Sequence, residues 1–164
     1  MRLTVHELSE IEGYLQGMHL TEEAECMKRF IQHGSISTYD HVIRVVRLSY
    51  YLNRHFHLGA PDAELVRGAF LHDFYLYDWH ENGYIGRFHG LHHPAVALEN
   101  ARRRYDLTPV ECNIIESHMW PLTLFTAPKS RAALIVCLAD KICSCGETVL
   151  YRNKKRARTI REKM

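Results

Sequence analysis

The groups in this sequence most suited to chemistry are histidine and aspartate side chains at core-facing positions of predicted helices. The 164-residue chain contains 12 histidines, and histidine is the commonest metal ligand and titrates near neutral pH. His41 shares a helix face with Val45 and Leu48, and Asp140 follows Val136 by one helical turn. Burying an imidazole or a carboxylate there costs free energy unless a partner or a cation compensates it. These residues are therefore candidate metal ligands.

A His-Asp dipeptide and a further histidine add donors of the same kind. His72 and Asp73 close a predicted helix, whose C-terminal carbonyl groups attract cations. His118 lies on the apolar side of another helix. A carboxylate beside an imidazole offers two ligand types to one metal, and its second oxygen is free to bind another. Four helices that each direct such a side chain inward predict a metal site.

The order of these residues matches a known pattern. The candidate ligands on successive helices are His41, His72, Asp73, His93, His118 and Asp140. They are accompanied by Arg44, by Gly68-Ala69-Phe70-Leu71 before the dipeptide, by Pro94, and by Leu138-Ala139-Asp140-Lys141. In this order the chain resembles the HD-domain superfamily of metal-dependent phosphohydrolases, in its six-ligand H…HD…H…H…D form. The resemblance covers about residues 38–145.

The resemblance implies a ligand set for two divalent metals, iron or manganese. The first metal would be held by His41, His72, Asp73 and Asp140, and Asp73 would bridge to a second metal that His93 and His118 complete. His93 is preferred to His89 and His92 because the family's ligand directly precedes a helix, which Pro94 would begin. His92 and His89 are then candidates to contact the metal ligands or to face the substrate.

The same resemblance implies a reaction. Two metals about 3.5–4 Å apart would make hydroxide available from a bridging water, and this hydroxide would attack phosphorus in line. Asp73 and Lys141 are the predicted catalytic residues, and Arg44, Lys141 and His92 are the predicted contacts to substrate. The expected substrate is a nucleotide or another phosphate ester or anhydride. A Gly-Tyr-Pro signature is absent from the sequence, which disfavours cyclic di-GMP.

Two other function classes use the same helices. A diiron oxygenase would keep all six ligands, with Tyr39 or Tyr77 as a lid over the site. A non-catalytic metal or nucleotide sensor would be expected to lose ligands, and here all six are present. Phosphohydrolysis is therefore the favoured hypothesis.

Helical periodicity predicts an all-α fold, a single helical bundle of about six to eight helices in residues 1–151. The predicted helices cover about 4–16, 21–32, 38–54, 62–73, 94–105, 108–118 and 130–145, the last with a possible extension beyond Gly146. Residues 74–92 are aromatic, rich in histidine and interrupted by glycines, which is typical of an irregular loop with a function.

Charge and cysteine usage bear on partners and compartment. Residues 152–164 hold seven basic side chains against one acidic, a net charge of +6, which leaves −4 for residues 1–151. This tail is interpreted as a solvated helix end in preference to a nucleic-acid arm, because no aromatic residue interleaves the charges. Five cysteines and no apolar segment of membrane-spanning length favour a reduced, cytoplasmic protein. The resemblance implies that its partner is a small phosphorylated molecule. The oligomeric state stays open.

Overall fold

Seven α-helices form the described part of the chain. The structure, a computed structural model, describes residues 2–33, 35–78 and 89–161, with the side chains of all but residues 33, 89 and 154–161. The helices are α1 (Val5–Leu15), α2 (Glu22–Met27), α3 (Thr38–His55), α4 (Asp62–Leu71), α5 (His89–Arg104), α6 (Pro109–Ser117) and α7 (Arg131–Arg161). A 3₁₀ turn at Met18–Leu20 and two short strands, β1 (Ile31–His33) and β2 (Ile36–Ser37), accompany them. The predicted all-α bundle is thereby confirmed.

Hydroxyl side chains cap the start of three of the helices that carry the candidate ligands. The Ser37 hydroxyl accepts a hydrogen bond from the backbone N–H of Asp40 at the start of α3. The Thr108 hydroxyl accepts from the N–H of Glu111, whose side chain accepts from the Thr108 N–H in return. Ser130 caps α7 in the same way. Because the first turn of a helix leaves its N–H groups unpaired, these caps fix three of the predicted starts.

Helices α3 and α4 pack against each other at the centre of the bundle, and α6 and α7 pack around them. Gly68 on α4 permits a close approach of α6, because a Cβ added there would lie 3.1 Å from the Cβ of Ile114. The core is apolar and fully buried around this contact, with Val42, Val45, Leu65, Val66, Ala69, Phe70, Ile114, Ile115, Val136 and Ala139 among its members. The α4–α6 contact therefore sets how close the ends of these two helices come.

The second predicted helix is too long. Helix α2 ends at Met27 rather than near Gln32, and Ile31–His33 forms β1, which pairs antiparallel with β2. The backbone N–H of Thr38 donates to the carbonyl of Phe30, which holds this hairpin against the start of α3. Helical periodicity did not reveal the strands because each is only two or three residues long.

The start predicted for the fifth helix is also wrong. Pro94 was expected in its first turn, but α5 already includes His89 and carries Pro94 in its interior. The predicted irregular loop at residues 74–92 is therefore helical from 89 onwards. Residues 74–78 form no helix or strand, and residues 79–88, with Trp79, lie outside the described part.

The last helix continues without interruption past Gly146, through Arg161. The basic segment that begins at Arg152 is thus a continuation of α7 up to Arg161. Within the described residues, no helix has both the length and the apolar character needed to cross a membrane.

Candidate metal centre

The six predicted ligands come from five places in the bundle and converge in its interior. His41 lies in the first turn of α3, His72 and Asp73 directly follow α4, His93 lies on α5, His118 directly follows α6, and Asp140 lies on α7. All six side chains are buried. The rings of His72 and His118 meet edge to face, with centroids 4.9 Å apart. Each follows the Gly68–Ile114 contact by four residues, so the close approach of α4 and α6 brings these two histidines together.

Three of the residues form a first cluster, His41, His72 and Asp140. The Nε2 atom of His41 lies 3.1 Å from Oδ1 of Asp140, and Nε2 of His72 lies 3.9 Å from the same oxygen. The Ser144 hydroxyl donates to this oxygen over 3.2 Å. Donor atoms of all three ligand side chains lie within 4.8 Å of one another, a spacing that suits a single cation.

The other three residues form a second cluster, Asp73, His93 and His118. The Nε2 atoms of His93 and His118 lie 2.7 Å apart. They lie 3.0 and 3.5 Å from Oδ1 of Asp73, respectively. Of the three neighbouring histidines considered from the sequence, His93 is thus the one seen to join the cluster. His92 is exposed, and the side chain of His89 is outside the described part.

Asp73 lies between the two clusters and presents one carboxylate oxygen to each. Oδ1 faces the second cluster, whereas Oδ2 lies 3.4 Å from Nε2 of His72 and 3.8 Å from Nε2 of His41. The amide nitrogen of Gln32 donates to Oδ2 over 2.6 Å. This placement is what a carboxylate needs in order to be shared between two neighbouring cations.

The histidine rings are oriented by their other nitrogen atoms. Nδ1 of His72 lies 2.7 Å from the carbonyl oxygen of Ala69, and Nδ1 of His118 lies 2.8 Å from that of Ile115. A carbonyl oxygen only accepts hydrogen bonds, so Nδ1 must carry the proton and Nε2 keeps its lone pair. Metal-ligating histidines are oriented in this way.

Some of the donor atoms also lack hydrogen-bond partners within the described part of the chain, as expected of atoms that bind a cation. Nε2 of His72 and Oδ1 of Asp73 are buried and make no hydrogen bond to any described residue. Such buried atoms cost free energy when they are left unsatisfied. The Nε2 atoms of His93 and His118 face each other, an arrangement that two lone pairs tolerate only with a proton or a cation between them. The residues present therefore fit divalent metal ions.

Electrostatics within the site reflects its concentration of carboxylates. Burial lowers the pKa of His41, but its hydrogen bonds to Asp140 and Glu147 outweigh burial and raise the pKa to about 10. Burial likewise opposes ionisation of Asp73, yet the charge of His72 and the close approach of the neighbouring imidazoles hold the pKa of Asp73 well below its usual range. The interior thus favours positive charge on His41, whereas burial lowers the pKa of His118.

Two buried polar residues that support the ligands are absent from the sequence-based prediction. Glu147, on α7, lies 3.0 Å through Oε2 from Nδ1 of His41, and its position seven residues after Asp140 could have indicated a shared helix face. Gln32, on β1, holds Asp73 and itself accepts a hydrogen bond from the Tyr75 hydroxyl. No periodic signal marks Gln32, because its placement depends on the unpredicted hairpin.

Two of the residues predicted to bind substrate, Arg44 and Lys141, contact other groups of the protein. Arg44 donates through Nη1 to Oε1 of Glu147 over 3.1 Å, with its side chain about half exposed. The Lys141 ammonium group donates to the backbone carbonyl of His118 over 2.9 Å and lies 3.2 Å from Sγ of Cys137. Lys141 also lines an apolar cavity of about 530 Å³ beside Trp120. Roles for both cations in phosphate binding stay predictions.

The bundle holds two adjoining clusters of histidine and aspartate in its interior. These features are those of a helical protein that binds divalent metal ions. The family model of the HD domain matches residues 38–144, and the chain belongs to the HD-domain family. HD domains in general bind divalent metals and act as metal-dependent phosphohydrolases. No curated protein and no solved structure matches the chain.

Proposed function

We propose that this protein is a metal-dependent hydrolase of a nucleotide or of another phosphate ester or anhydride. The observation that carries the proposal is the position of Asp73. One of its carboxylate oxygens lies 3.0 Å from Nε2 of His93 in the second cluster, and the other lies 3.4 Å from Nε2 of His72 in the first. A carboxylate shared in this way would hold two cations next to each other, which is the arrangement that phosphoryl transfer to water uses.

The six ligand side chains would hold iron or manganese. Their donors are imidazole nitrogen and carboxylate oxygen, without a thiolate, and this set suits either metal. When bound, the two cations would supply hydroxide at neutral pH and neutralise the charge that develops on the phosphoryl oxygens.

The chain's own residues would mainly position these groups. The backbone carbonyls of Ala69 and Ile115 hold the rings of His72 and His118, and the Gln32 amide holds one oxygen of Asp73. Arg44 and Lys141 are proposed to contact the phosphate oxygens that are not attacked. Cations in such positions add charge-assisted hydrogen bonds to the substrate.

The experiment is a substrate screen on the full chain loaded with either Mn²⁺ or, without oxygen, Fe²⁺. A panel of mononucleotides, dinucleoside polyphosphates and simple phosphate esters is followed by release of phosphate or of nucleotide. We expect metal-dependent hydrolysis of at least one class, with loss of activity on chelation. Metal-loaded protein that hydrolyses none of them would overturn the proposal, and oxygen consumption by the iron form would favour the oxygenase alternative instead.

A further inference from the structure

We propose that Glu147 is a positioning residue: it holds the His41 ring so that Nε2 is presented to the metal of the first cluster, and Arg44 keeps Glu147 in place. The inference rests on the proposed metal site and deepens it, because it assigns the metal affinity of one cluster to a residue outside the ligand set.

The contact between Glu147 and His41 is direct and lies in the interior. Oε2 of Glu147 lies 3.0 Å from Nδ1 of His41, and the two side chains are 2% and 0% exposed. On the other side of the ring, Nε2 lies 3.1 Å from Oδ1 of Asp140. A carboxylate accepts hydrogen bonds only, so Nδ1 keeps a proton, and in the neutral ring that binds a metal the lone pair is on Nε2, which points toward the cluster.

Arg44 gives the buried Glu147 carboxylate a second partner. Its Nη1 donates to Oε1 of Glu147 over 3.1 Å, while its side chain is 46% exposed. The guanidinium group thus reaches from the surface to the second oxygen of a buried carboxylate. A buried charge without such a partner would be costly, so the Arg44–Glu147 pair allows the negative charge to stay beside His41.

One helix supplies both a ligand and the support of another ligand. Asp140 and Glu147 lie seven residues apart on α7, on the side that packs against α3. His72 and His118 are held instead by the backbone carbonyls of Ala69 and Ile115. A carboxylate makes the imidazole a stronger donor to metal than a neutral carbonyl does, and losing such a partner typically lowers metal affinity about 10- to 100-fold.

The test is a titration of the apo protein with Mn²⁺ alone, by calorimetry, with the bound metal counted by elemental analysis. Glu147→Leu removes the acceptor at similar size, and Glu147→Gln keeps an acceptor but removes the charge. We expect the affinity of one binding step to fall about 10- to 100-fold in Glu147→Leu and less in Glu147→Gln. Arg44→Met should weaken the same step by a smaller factor, and the other step should be unchanged.

Glu111 provides a matched control. It is also a buried glutamate paired with an arginine, since Nε of Arg67 donates to its Oε1 over 2.5 Å, but it caps α6 and contacts no predicted ligand among the described residues. Glu111→Gln should lower thermal stability and leave both Mn²⁺ affinities as they are.

Three outcomes would overturn the inference. They are unchanged affinities in folded Glu147→Leu, equal weakening of both steps, and an equal loss in Glu111→Gln. If Glu147→Leu does not fold, Glu147→Gln and Arg44→Met decide the matter on the same readout. Failure of the proposed function alone is distinguishable, because it would appear as wild-type protein that binds Mn²⁺ and hydrolyses nothing. Wild-type protein that binds no Mn²⁺ would overturn both proposals.

Discussion

The two clusters of the candidate metal centre are built differently. The first takes its ligands from α3, α7 and the end of α4, which pack against one another at the centre of the bundle. Two further side chains support it, since Glu147 lies against His41 and Ser144 donates to Asp140. The second takes His93 from α5, whose described part begins at His89. It contains one carboxylate, Asp73, which the first cluster also faces.

The difference has consequences for metal binding. Negative charge is concentrated at the first cluster, whereas the second depends on the one aspartate that both share. Loss of Asp73 should therefore affect both clusters, and loss of a supporting residue should affect only one.

The largest effect is expected from Asp73→Ala. Removing the shared carboxylate takes one ligand from each cluster, so we expect hydrolysis to fall to background and at least one metal ion per chain to be lost, while helicity is kept. Activity assays, elemental analysis and circular dichroism check this. Exposed Asp106 is the control, since Asp106→Ala should change none of the three. Full turnover in Asp73→Ala would refute the assignment of both clusters.

A large effect on stability is expected from Gly68→Ala. The added Cβ would meet Ile114, and overpacking of this kind costs about 1–3 kcal/mol of unfolding free energy. Because His72 and His118 each follow this contact by one turn, metal affinity should fall at both clusters together. Urea denaturation and Mn²⁺ titration measure the two effects.

Gly13 is the matched helix position for that variant. A Cβ at Gly13 on α1 would have nothing within 4 Å, so Gly13→Ala should stabilise the fold by about 0.5–1 kcal/mol, the usual gain for Ala over Gly within a helix. If Gly68→Ala proved as harmless as Gly13→Ala, the α4–α6 contact would not control the spacing of the two histidines.

A moderate effect is expected from Gln32→Leu. The Gln32 amide donates to Oδ2 of Asp73, and a hydrogen bond to a charged group contributes about 1.5–3 kcal/mol. We expect kcat to fall about 10-fold or more with the fold intact. Tyr75→Phe removes the hydroxyl that donates to Gln32 and should have a smaller effect in the same direction. Steady-state kinetics on the substrate found by the screen would show an unaltered kcat if Gln32 were merely structural.

The smallest effect concerns the thiols on α7. Burial and the negative charges of Glu147 and Asp140 raise the pKa of the Cys143 thiol to about 12. Only on the order of 10⁻⁴ of this thiol is thiolate at pH 8, so its alkylation should be slow and should accelerate as the pH rises. Exposed Cys145 should be labelled first. Mass spectrometry after iodoacetamide treatment checks the order, and equal labelling at pH 8 would contradict the charge distribution proposed for the first cluster.

Much of the fold could be predicted because its signals are local. Ser37, Thr108 and Ser130 cap helices at the predicted positions, since a hydroxyl that pairs with the next N–H groups acts within three residues. The start of the fifth helix was predicted wrongly from a signal that is also local, Pro94. Proline favours the first turn of a helix but does not require it, and α5 places it one residue after a predicted ligand in the helix interior.

The sequence by itself determined the ligand types and their order. A histidine or an aspartate on an apolar helix face must find a partner in the interior, and helical spacing reveals that face from residues within two turns. The tertiary structure alone brings those groups together. It forms the two clusters, with Asp73 facing both, that the family resemblance implied, and it brings Glu147 to His41 and Gln32 to Asp73, neither of which was predicted from the sequence. The Gln32–Asp73 and His41–Glu147 contacts join residues 41 and 106 positions apart, and no local pattern encodes such pairings because the packing of whole helices sets them.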